Sequence, residues 1–115
     1  MAAGDELAAG RPVAATSLAI HAAINAADAV CGARLARRAA GDSHVEVLSL
    51  LRESGVDGAE VARHLARLLS LKTRAEYEPD DISPATASRA VARARQCVAV
   101  ARRLAGASGS MVDER

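Results

Sequence analysis

Apolar residues recur along this chain at helical rather than strand spacing, and four stretches carry the pattern. From Val13 to about Leu35, one stripe holds Ile20, Ile24, Ala27 and Cys31; the neighbouring stripe holds Leu18, His21, Asn25, Asp28 and Leu35. Nearly everything else there is alanine, and Asp28 is the only charge between Pro12 and Ala33. A helix with no charged outer face is usually enclosed by others, so this segment predicts the central, shielded helix of a bundle. In the next helix Val45, Leu48 and Leu51 mark the buried side. In the third, Val61, Leu65, Leu68 and Leu69 bury, while Arg63, Arg67, Ser70 and Arg74 face the other way. The last, from Pro84 to about Leu104, has a small-residue seam of Val91, Ala94, Val98 and Ala101.

Local signals set the boundaries. "DELAAG" supports only a helical stub, closed by Gly10, and Pro12 suits the first turn of the long helix because its missing N–H costs nothing there. Ser43 with Glu46, and Asp57 with Glu60, have the spacing of reciprocal caps at helix starts. Gly55 ends the second helix; Pro79 disfavours helix at Glu78 and stops the third near Tyr77. "EYEPDDISP" reads as an acidic loop, with Ser83 capping and Pro84 opening the last helix. The expectation is a single all-α domain over residues 1–105, an up-and-down bundle of four main helices plus the stub. A small polar tail over 106–115 is expected to fray.

Composition adds two constraints. Tyr77 is the only Phe, Trp or Tyr, so the core must be aliphatic and rich in alanine. The formal net charge is +1, which gives no global pull toward nucleic acid. The cations are fourteen Arg and one Lys, and the last helix alone carries Arg89, Arg93, Arg95, Arg102 and Arg103 with no acid among them. That face, with Arg63 and Arg67, is the candidate for contact with RNA phosphates. Cys31 and Cys97 lack metal-site spacing and read as buried free thiols. Asp5 and Glu6, with no basic leader, do not make a signal peptide. The alanine run carries His, Asn and Asp, so a membrane span is not expected, and a cytoplasmic location is. No cofactor motif or glycine-rich phosphate loop is present.

His21, Asn25 and Asp28, spaced by four and three, share one helical face. They read either as a buried polar network tying helices together or as one wall of an interhelical ligand site with His44 and Lys72. One His and one Asp on a helix do not make a metal shell. Tyr77 is expected to bury its ring and bond its hydroxyl while Lys72 and Glu76 tie the helix to the loop.

The order of these features resembles the HEPN family of small prokaryotic helical bundles. "ATSLAIHAAINAADAV" is similar to that family's long second helix, and "GDSHVEVLSLL" to the His-led segment after it. "KTRAEYEPDDISPATASRAVARARQCVAVARRL" looks like its pattern of a basic residue, then Ala, Asp and Tyr, a loop and a closing helix. Lys72 stands where the family has Arg, and Glu76 where it has Asp; lysine keeps the charge but lacks the guanidinium fork. A homodimer is expected, because the Ala-rich seams allow close helix contacts; the resemblance implies a binding module with a nucleotide or other phosphate-bearing ligand near His21, Asn25, Asp28, His44, Lys72 and Tyr77, and a nucleotidyltransferase partner. Its alternative implication is a metal-independent, toxin-type ribonuclease with Arg38 and His44 in the catalytic roles.

Overall fold

A computed structural model describes the backbone of residues 1–35 and 44–113, and the side chains of residues 1–33 and 45–106. Within them the chain is all-α: α1 (Ala2–Ala8), α2 (Pro12–Leu35), α3 (His44–Glu53), α4 (Gly55–Tyr77) and α5 (Pro84–Asp113), with a single 3₁₀ turn at Pro79–Asp81. The last helix continues through Gly106 to Asp113, where the sequence suggested a tail.

Three helices make the body. α2 packs most extensively on α5 and next on α4, and α4 also packs on α5. α3 lies mainly on α4, and the short α1 lies on α2 with a smaller contact to α5. The molecule is elongated, 51 × 27 × 21 Å.

The α2–α5 seam is built of small side chains. Ala15, Ala19, Ala23, Ala26, Ala27, Val30 and Cys31 of α2 are buried, as are Ala87, Ala90, Val91, Ala94, Cys97 and Val100 of α5. Larger side chains come from α3 and α4, where Leu51, Val61, Leu65 and Leu68 are fully enclosed. Both cysteines are free thiols, as their apolar positions suggested. Burial, with the Glu60 carboxylate nearby, pushes the Cys97 thiol up to about 11, so it stays protonated at neutral pH.

α2 is central yet open on one side. Its apolar span Pro12–Ala33 has the length to cross a bilayer, but only 44% of its most apolar window is buried in the bundle. Leu18, His21, Asn25, Ala29 and Gly32 face solvent. The expected shielding on most sides fails because α1 is only seven residues long and α3 only ten, so neither reaches along this flank. Among the described residues the buried polar side chains are instead Thr16 and Ser54. Each satisfies itself within its own chain segment: Thr16 Oγ1 donates to the Pro12 carbonyl at 2.9 Å, and Ser54 Oγ to the Leu50 carbonyl at 2.8 Å.

The local signals place most ends correctly. Gly10 N–H donates to Leu7 O and Arg11 N–H to Glu6 O, which closes α1 at the expected glycine. Ser83 Oγ accepts from Thr86 N–H at 3.1 Å and caps α5. The α3–α4 junction differs. Ser54, not Asp57, precedes α4, and the chain turns through Gly55 at φ +80° with no capping side chain. Asp57 sits in the first turn and faces Arg103 instead. The Ser43–Glu46 cap involves a residue outside those described. The corner also resets α3, whose buried side is Val47, Leu50 and Leu51, while Val45 is 79% exposed.

Gly58 explains the tightness of that corner. A Cβ there would run into the backbone carbonyl of Leu51 and the Ser54 side chain. Gly58→Ala should therefore lower stability by about 1–3 kcal/mol, as overpacking does. Gly32, on the open side of α2, has nothing within 4 Å of such a Cβ. Gly32→Ala should raise stability by about 0.5–1 kcal/mol through helix propensity alone. Urea denaturation of the two variants should give midpoint shifts of opposite sign.

Candidate anion site between α4 and α5

Arginines on α4 recur at 63, 67 and 74, offsets that put them on one face of the helix. Arg89 and Arg93 do the same at the start of α5. Because Val61, Leu65 and Leu68 bury on one side of α4, and Ala87, Ala90, Val91 and Ala94 on one side of α5, the two arginine rows meet along the outer junction of the helices. Two clefts follow this junction. One, of about 500 Å³, is lined by Arg52, Arg63, His64, Arg67 and Arg93 over a floor of Ala59, Ala62 and Ala66. The other, of about 210 Å³, is lined by Arg67, Ser70, Leu71, Arg74, Thr86, Arg89, Ala90 and Arg93. Arg67 and Arg93 line both, so the clefts adjoin, and among the described residues no carboxylate lines either.

The arginines are largely uncommitted. Arg52, Arg63, Arg67, Arg74 and Arg89 make no ion pair among the described residues. The nearby acids Asp57 and Glu60 lie 3.6 and 3.7 Å from Arg103. Arg93 donates to Nδ1 of His64 at 3.3 Å, which requires the ring proton to sit on Nε2. The imidazole is held below its ordinary value by partial burial first and then by the Arg93 charge, with Arg63 adding to this and Glu60 opposing it. His64 is therefore neutral at physiological pH and serves as an acceptor that orients Arg93. The Arg93 contact joins residues 29 positions apart and has no local signature in the sequence.

The sequence-derived ligand residues are not among those lining these clefts. His21 and Asn25 are exposed on α2, and Asp28 is half-buried and partnered. Lys72 is half-buried on α4 and also partnered. Tyr77 is 77% exposed, contrary to the expected buried ring, because it ends α4 just before the acidic turn and no element covers it. None of these five lines the arginine clefts. Arg38 and the His44 side chain lie outside the described residues. Among the described residues, no group of three or more His, Cys, Asp or Glu could hold a metal ion.

Searches against protein-family models, curated proteins and solved structures find no match to this chain.

The His64 environment has a pH consequence. Its folded value lies below the unfolded one, so the folded state is favoured fully above about pH 6.5 and loses this contribution as pH falls through that value and below. Wild type should lose more melting temperature between pH 7.5 and 5.5 than His64→Gln, which keeps an acceptor for Arg93 but does not titrate. Phosphate should raise the His64 midpoint, read by NMR of the imidazole protons, because a bound anion offsets the arginine charges.

Proposed function

We propose that this protein is a binding module for phosphate-bearing ligands and that the α4–α5 junction is its binding surface. The observation that carries this reading is the adjoining pair of clefts lined by six arginines and, among the described residues, by no carboxylate. Guanidinium groups pair with phosphate through parallel N–H donors, and several converging on one groove favour an anion with several charged oxygens. Ser70 and Thr86 add hydroxyls in the smaller cleft. Clustered like charges repel, and a bound anion removes that repulsion, so binding should stabilise the fold as well as fill the groove.

A phosphate-bearing ligand is also what the HEPN resemblance implies, but this seat differs from the one the resemblance pointed to. His21 and Asn25 supply no convergent cations, and a neutral His64 surrounded by arginines is poorly suited to release a proton to a leaving group. Binding therefore fits this groove better than catalysis. Pyrophosphate or ATP at millimolar concentration should raise the melting temperature of wild type by several degrees. The shift should disappear in Arg67→Ala with Arg93→Ala and persist in His21→Ala. Loss of the shift in His21→Ala alone would place the ligand on α2.

A further inference from the structure

The geometry points to duplex nucleic acid as the occupant of this groove, gripped by its phosphates and not read through its bases. This deepens, and rests on, the reading of the groove as an anion site.

Length is the first reason. Arg63 and Arg74 are separated by about 17 Å along α4, from a rise of about 1.5 Å per residue. Arg89 and Arg93 run alongside on α5, and Arg67 and Arg93, shared by the two clefts, carry positive charge from one to the next. A single phosphate would fill one cleft and leave the guanidiniums of the other uncompensated. A duplex presents a charge about every 1.7 Å of its axis and can neutralise the whole track.

The second reason is what the track lacks. Strand-binding grooves offer aromatic faces on which unpaired bases stack. The only Phe, Trp or Tyr of this chain, Tyr77, lies at the end of α4 among Glu76, Glu78 and the acidic turn, and lines neither cleft. The floor of the larger cleft is Ala59, Ala62 and Ala66, which offers bases neither stacking nor hydrogen bonds. A duplex keeps its bases stacked inside and asks only for phosphate contacts.

Third, the groove has ends. Exposed Glu76, Glu78, Asp80 and Asp81 close it beyond Arg74, and the Asp57–Glu60–Arg103 cluster lies near the start of α4 at the other end. These carboxylates confine phosphates to the stretch between them. The net charge of +1 means that attraction comes from this separation of charge and not from an overall positive chain.

Fluorescence anisotropy with DNA and RNA duplexes of about 20 base pairs, the matching single strands, and ATP as competitor tests the inference. A duplex should bind about tenfold tighter than its single strand and change less than about twofold between unrelated sequences. About four to five neutralised phosphates predict a salt slope near −4, or about a 250-fold loss from about 50 to 200 mM salt. Arg67→Glu should weaken duplex binding at least about tenfold. Arg102→Glu, the same charge change on the flank of α5 that faces Ala22 of α2, should weaken it less than about twofold. Circular dichroism and melting temperature check that both variants fold. Equal or tighter binding of the single strand or of ATP would overturn the duplex inference and leave the anion site standing. Equal losses in the two variants would overturn the placement. No binding of any of these anions would defeat the proposed function as well.

Discussion

The alanine seam between α2 and α5 is the contact from which the rest of the molecule follows. With no large aromatic side chain to fill a core, these helices gain dispersion only by coming close, and close approach is open only to small side chains. Ala15, Ala19, Ala23, Ala26 and Ala27 meet that condition on α2, and Ala87, Ala90 and Ala94 on α5. The seam fixes the rotation of α5 about its own axis. Once Ala90, Ala94 and Cys97 point inward, Arg89 and Arg93 are carried to the α4 side, and Arg95 and Arg102 to the α2 side. A helix turned by one residue would not bring the α5 arginines beside those of α4.

That arrangement is held against electrostatic repulsion. Arg63, Arg67 and Arg93 share a cleft with a histidine kept neutral by partial burial and by the charges of Arg93 and Arg63, and the nearby acids face Arg103. Apolar packing beneath the groove sustains the cluster: Leu65 and Leu68 lie on the inner side of α4, opposite Arg63 and Arg67. On the proposed reading, stability and anion affinity are linked at this surface, since an anion that relieves the repulsion would add to the free energy of folding.

Periodicity made the helices legible, and local chemistry made most of their ends legible, from Gly10 and Pro12 to Ser83 and Pro84. It also showed that Arg63, Arg67 and Arg74 share a face. What it could not supply was the partner of each face. His21 and Asn25 looked enclosed because their helix is nearly uncharged, yet enclosure depends on whether neighbours are long enough to cover it, and α1 and α3 are not. Val45 looked buried because hydrophobic spacing leaves α3 free to rotate by a residue; Gly58 pressed against Leu51 decides that rotation. The groove joins the arginines of α5 to arginines of α3 and α4 that lie 15 (Arg74 to Arg89) to 41 (Arg52 to Arg93) positions away, a pairing that no single-helix pattern contains.

The central claim, that charge on the α4–α5 face forms the binding surface, is tested most directly by mapping. Backbone and arginine side-chain NMR resonances would be followed while pyrophosphate is added to the labelled full chain. The account predicts the largest shifts at the guanidinium groups of Arg63, Arg67, Arg89 and Arg93 and at the His64 ring, with Leu18, His21 and Asn25 unmoved. Shifts centred on the open side of α2, with the α4–α5 arginines silent, would contradict it.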